Sequence, residues 1–78
     1  MITPAQIRAA RALVSLKQDE LAAAASVSLA TLNNIERGVS DPRSSTLLAI
    51  QRALEASGVI FIPENGEGPG VRLRKVSP

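Results

Sequence analysis

A chain of 78 residues can hold one small domain that buries only about 60% of the surface its unfolded form exposes. It contains no Cys and no His, which excludes disulfides, thiol chemistry, the usual zinc ligand sets and imidazole catalysis. With 45% hydrophobic residues but one Phe and no Trp or Tyr, the core must come from Leu, Ile, Val and Ala, which favours packed helices, and a net charge of +2 suits a polyanion without requiring one. The first predicted element is a helix opened by "TPAQI": Thr3 caps, Pro4 takes the first helical position, and Gln6 closes a capping box. Ile2 and Ile7 form a hydrophobic staple across that cap. Ile7, Ala10, Leu13 and Val14 then recur at helical spacing, with Arg8 and Arg11 assigned to the opposite, outer side. The same arginines interrupt any reading of the N-terminus as a signal or membrane segment, and no apolar run approaches the roughly 18 residues a bilayer requires. A soluble, cytoplasmic chain is therefore expected.

"KQDELAAAAS" predicts a second, short helix whose Asp19 and Glu20 complement the helix dipole and whose Leu21, Ala22 and Ala25 face inward. A third follows after Val27, capped by Ser28, with Leu32 and Ile35 inside and Gly38 as its stop. Glu36 on this helix is expected to serve structure, holding Arg37 or a backbone amide. After the polar "VSDPRSS", Leu47, Ile50 and Leu54 mark a fourth helix, capped by Ser44 or Ser45 and ended by Gly58. The period then changes to that of strands, in the all-apolar "VIFI" and in "VRLRKV", where apolar and basic residues alternate. The intervening "PENGEGPG" has neither the spacing nor the following helix of a phosphate cradle and reads as a connecting loop.

The second and third helices define a packing unit: Ala22 allows close crossing, Val27 plugs the turn, and Leu32 and Ile35 lock against Leu21 and Ala25. At Gln18, Leu21, Ala22, Ala25, Val27, Ser28, Leu32, Ile35, Glu36 and Gly38 the chain resembles the helix-turn-helix of phage-repressor, Cro and Xre-like regulators. That resemblance covers roughly residues 3 to 58. It implies a mainly α fold, a small domain of four to five helices of the repressor type over 1–58; beyond it the strand-period residues read as a C-terminal extension over 59–78 that forms a short β hairpin or dimer-forming strands. The chain departs from the family at Ser26, where Gly is usual in the turn, and at Lys17, where Ser or Thr is usual before Gln. Ser26 is thus expected to adopt a left-handed conformation at a cost of roughly 1 kcal/mol. Lys17 cannot cap through a side-chain oxygen.

The resemblance further implies that the helix near 28–37 enters the major groove of double-stranded DNA and meets base edges through Leu29, Ala30, Asn33 and Asn34. Asn pairs with adenine and the apolar pair suits a thymine methyl, so an A·T-leaning site is expected. Lys17, Gln18, Thr31, Arg37 and Arg43 are the expected phosphate contacts. Taken alone, each of these polar residues would be an ordinary solvated side chain, and Leu29 a single exposed apolar residue; their grouping around one helix is what carries the reading. Arg72, Arg74 and Lys75 read first as charges that protect a strand edge from aggregation.

The function expected is sequence-specific DNA binding by a transcriptional regulator, a repressor because no activating or ligand-binding domain is apparent, in the cytoplasm of a bacterium or of a phage-infected cell and associated with the nucleoid. No cofactor or metal is expected and no enzyme activity, since the carboxylates form no acid and base pair. The alternative is a protein-interaction module, antitoxin-like or an adaptor, whose strands pair with another protein's sheet. Because one such unit reads few base pairs, a homodimer on a pseudo-palindromic site is expected. Val59, Ile60, Phe61, Ile62, Val71 and Leu73 are its dimerisation candidates, their strands pairing within or between chains, and Val71 to Val76 alternate between two faces.

Overall fold

The chain begins as its capping signals require. In a computed structural model, which describes residues 1–75, Thr3 Oγ1 accepts from the Gln6 N–H at 3.1 Å while the Thr3 N–H donates to Gln6 Oε1 at 2.8 Å. This reciprocal box starts α1, Pro4–Leu13. Three more helices follow, α2 (Gln18–Ala24), α3 (Leu29–Glu36) and α4 (Ser44–Ala56), then strands β1 (Val59–Ile62) and β2 (Gly70–Leu73). The mainly helical fold with a C-terminal hairpin is thus as expected. One cap differs: α4 starts from Arg43, not from Ser44 or Ser45, and no side chain caps it. Both serines lie inside its first turn.

The helix ends share one device. After α1, α2 and α3 the chain turns left-handed at Ser15 (φ 53°), Ser26 (φ 57°) and Gly38 (φ 74°), and two backbone bonds close each end back onto the last turn. Ser26 therefore does what its place in the turn demands. Ser15 does the same without any sequence signal pointing to it. At the start of α2 the Lys17 side chain makes no cap, and Glu20 Oε1 accepts from the Lys17 N–H at 2.8 Å instead.

Each element contributes to one buried cluster. Ile7 from α1, Leu21 from α2, Leu32 from α3, Ile50 and Leu54 from α4 and Val59 from β1 are its largest fully buried side chains, each worth roughly 1.5–3 kcal/mol in apolar burial. Residues 59–75 are accordingly not a separate core. The strands pair antiparallel within the chain, Val59 opposite Leu73 and Phe61 opposite Val71, and Phe61 and Val71 pack against the helical cluster. Alternation turns Ile60 and Ile62 to the other face. Gln6 ties the hairpin to α1, its Nε2 donating to the carbonyls of Ile62 (3.2 Å) and Gly70 (2.9 Å). Val76 lies outside the described residues. No helix among the described residues is long and apolar enough to cross a membrane.

Candidate nucleic-acid interface

Helix α3 divides its residues sharply between inside and outside. Leu32, Ile35 and Glu36 are buried, whereas Leu29, Ala30, Thr31, Asn34 and Arg37 are exposed and Asn33 is half-buried. At 100° per residue, Ala30, Asn34 and Arg37 form one outward row, flanked by Thr31 on one side and Asn33 on the other. The row is short, polar at its centre and apolar at its start, where Leu29 is 49% exposed. Among the described residues neither Asn33 nor Asn34 spends its amide on a hydrogen bond within the protein. Their donors and acceptors are free.

The start of α3 is well fixed. Ser28 Oγ accepts from the Thr31 N–H at 3.0 Å and donates to Thr31 Oγ1 at 2.7 Å. Thr31 Oγ1 thus acts as an acceptor and keeps its own proton to donate outward. Around the helix, Lys17 precedes α2, Gln18 opens it, Arg37 follows the last turn of α3 and Arg43 precedes α4. Lys17, Arg37 and Arg43 are exposed, Gln18 is half-buried, and none of the three cations is ion-paired among the described residues.

The clamp behind α3 is a feature that sequence reasoning missed. Arg11 was expected on the outer side of α1, and Glu36 beside Arg37. Instead Arg11 Nε and Nη2 donate to Glu36 Oε2 and Oε1 at 2.7 and 2.8 Å, a bidentate pair, while Nη1 reaches the Leu16 carbonyl at 3.1 Å. Arg8 donates to the Glu36 backbone carbonyl. The carboxylate raises the guanidinium's pKa above its ordinary value, chiefly through the side-chain hydrogen bond. Arg8 and Arg11 of α1 thus both hold the C-terminal turn of α3 and fix where its exposed row points. A signal was present: Glu36 lies four residues after Leu32, on the inward stripe, where a carboxylate needs a cation.

A helix-turn-helix family model matches residues 7–61. The chain belongs to the helix-turn-helix family. No curated protein matches it. Among solved structures it resembles the solution structure of the DNA-binding domain of the P22 C2 repressor, with a TM-score of 0.64 and 29% identity over 70% of this chain and 72% of that one. The helix-turn-helix match takes in α2, α3 and α4 and runs on to Phe61 in β1, which agrees with the role of Val59 in the shared core.

Proposed function

We propose that this helix-turn-helix protein is a sequence-specific DNA-binding transcriptional regulator, acting as a repressor, that inserts α3 into the major groove. The observation that carries the reading is the outward row of Ala30, Asn34 and Arg37, whose side chains the fold does not use, on a helix clamped from behind by Arg8 and Arg11. Family membership and the likeness to a repressor's DNA-binding domain support it. They do not favour the protein-interaction alternative.

In this reading Asn33 and Asn34 offer a carboxamide that pairs with the adenine edge, and Leu29 and Ala30 take thymine methyl groups. Lys17, Gln18, Thr31, Arg37 and Arg43 hold phosphates on either side and set the register. Two copies reading a pseudo-palindrome would place their α3 helices about 34 Å apart, one turn of DNA.

The test is a titration of duplex DNA at two salt concentrations. Three cations per subunit give a logarithmic salt slope of about −2.7, so each bound subunit loses about 40-fold in affinity between 50 and 200 mM salt. Asn34→Ala costs roughly 1–3 kcal/mol at one base pair and relaxes preference there, whereas Arg43→Ala weakens all sequences alike. An unchanged base-preference profile in Asn34→Ala removes that residue from the reading; no binding at low salt removes the reading itself.

A further inference from the structure

Strand β2 has one edge paired and one edge open. Arg74, just past its end, donates its N–H to the Gly58 carbonyl at 2.7 Å, and in the same register Arg72 faces Ile60 and Gly70 faces Ile62. The bonds of an antiparallel pair alternate along the ladder, so these residues turn their backbone groups toward β1 while Val71 and Leu73 turn theirs outward. Among the described residues no backbone group meets Val71 or Leu73 on that side. An apolar groove runs along the open edge, between Ala5 and Ala9 of α1 and Gly70 and Val71 of β2. Leu73 shares the inward face with Val59, the residue opposite it, yet Leu73 is 51% exposed while Val59 is fully buried. The outer face of the edge is basic. Arg72 and Arg74 share it by alternation, both are exposed, and among the described residues neither is ion-paired.

We infer that the open edge of β2 receives an extended strand of a partner protein, a segment whose residues alternate apolar and acidic. Its backbone pairs with the N–H and C=O groups of Val71 and Leu73, as in strand addition to a sheet edge. At the roughly 4.8 Å spacing of neighbouring strands it lies over the groove, where Ala5 and Ala9 are too small to obstruct it, and its inward side chains cover Leu73. Its outward side chains stand beside Arg72 and Arg74, where a carboxylate is attracted and a cation repelled. The same charges disfavour a second copy of this chain at the edge: β1, with the sequence VIFI, has no acid to offer, and a second β2 sets arginine against arginine. Two arginines that guard the edge against aggregation thereby also select what it admits. The helix-turn-helix match ends at Phe61, before β2, and the surface is separate from the exposed row of α3, so the inference goes beyond the DNA reading and does not depend on it.

The experiment titrates the full chain with three short amide-capped peptides: one alternating Val and Glu, one alternating Val and Lys, and one in which the valines and glutamates of the first are grouped in two blocks. With the alternating Val–Glu peptide, NMR is expected to show the Val71 and Leu73 amide protons shifting and gaining protection from exchange. The Phe61 amide on the far edge of β1 and the Thr31 amide at the start of α3 should stay still. By fluorescence anisotropy at low salt that peptide should bind about tenfold more tightly than either of the others. The double variant Arg72→Glu/Arg74→Glu, changed at two exposed positions, should reverse the order and prefer the Val–Lys peptide. Val71→Pro removes an N–H that β1 does not use, so the hairpin should survive, as a thermal melt checks, while affinity for the Val–Glu peptide falls. Both variants should bind duplex DNA as the natural chain does. Val71 and Leu73 amides that do not move at millimolar peptide, or a double variant that keeps the natural preference, overturn the inference. Protection of those amides that rises with protein concentration and needs no peptide makes the edge an interface between copies and overturns it equally. A double variant that loses duplex affinity as Arg43→Ala does makes the two arginines phosphate contacts and overturns their role as selectors.

Discussion

The seam between α1 and α3 and the outer face of α3 carry the same kinds of side chain and use them differently. In the seam Arg8, Arg11 and Glu36 are all bonded to one another or to backbone carbonyls. On the outer face Asn34 and Arg37 are exposed and make no side-chain hydrogen bond or ion pair within the protein, among the described residues. A side chain already committed within the fold must give up those bonds before it can contact a ligand, whereas a free one loses only water. The contrast separates residues that aim α3 from residues able to meet what α3 is aimed at, and it does so within a single helix turn, since Glu36 and Arg37 are neighbours.

Substituting an arginine on each side of that divide is the sharpest way to break the comparison. Arg11→Met leaves the 3% exposed Glu36 without its cation, and removing one partner of a buried pair costs roughly 3–5 kcal/mol. Arg11 itself is 23% exposed in its side chain, so water reaches the site and a loss of about 3 kcal/mol is expected. Arg37→Met makes the same change in charge at an unpaired position and should stay within about 0.5 kcal/mol of the natural stability. Urea denaturation measures both. Equal costs would mean that the outer face is as much part of the fold as the seam.

What could be read in the sequence follows the range of each interaction. The Thr3 and Gln6 box, the Ser28 cap and the inward stripe of Leu32 and Ile35 depend on neighbours three or four residues away, and local spacing displays them. The outward row of α3 was legible for the same reason. Gln6 was legible only by half: its box is local, but the carbonyls it also meets lie 56 and 64 residues further on. The Arg11 and Glu36 pair spans 25 residues: helical spacing turns Glu36 inward, but nothing local says which cation meets it. Arg43 at the start of α4 was missed because it is an extended residue whose side chain makes no capping bond, and a search for hydroxyl side chains passes over it. The pairing of the strands needed the helices as well, since Val59, Phe61 and Val71 are turned inward by the surface they cover.

A smaller effect tests the left-handed turns that end the helices on both sides of the divide. Ser15 and Ser26 adopt φ of 53° and 57°, which costs a residue with a Cβ roughly 1 kcal/mol or more, while glycine's freedom in the unfolded chain returns part of that gain. Ser15→Gly and Ser26→Gly should therefore each stabilise by about 0.5 kcal/mol, or about 2–4 °C in Tm for a domain of this size. Gly38→Ala supplies the mirror image. Its φ is 74° and an added Cβ meets nothing within 4 Å, so the change is a backbone effect alone and should cost about 1 kcal/mol. If Ser26→Gly destabilises instead, the turn between α2 and α3 is held by its side chain and the backbone account fails there.

The smallest expected effect concerns the hairpin tip, where an exposed side chain is nonetheless committed. Glu64 Oε1 accepts from the N–H groups of Gly66 at 2.7 Å and Gly68 at 2.9 Å, and these bonds, that from Gly68 foremost, hold its carboxyl below the ordinary carboxylate value. A carboxylate whose pKa is lowered by folding contributes stability above its unfolded value and loses that contribution as pH falls through its folded one. Because Glu64 is fully solvated, the loss should be local and leave the helical core unaffected. The amide proton shifts of Gly66 and Gly68, followed by NMR from neutral to acidic pH, should move together with one midpoint below the ordinary carboxylate value, while the Thr31 amide, bonded to the neutral Ser28 hydroxyl, stays still. Glu64→Gln should abolish that titration and leave the Thr31 amide unchanged. If the two glycine amides instead follow a midpoint that survives Glu64→Gln, Glu67 governs the tip, and the loop is ordered by something other than the carboxylate two residues before it.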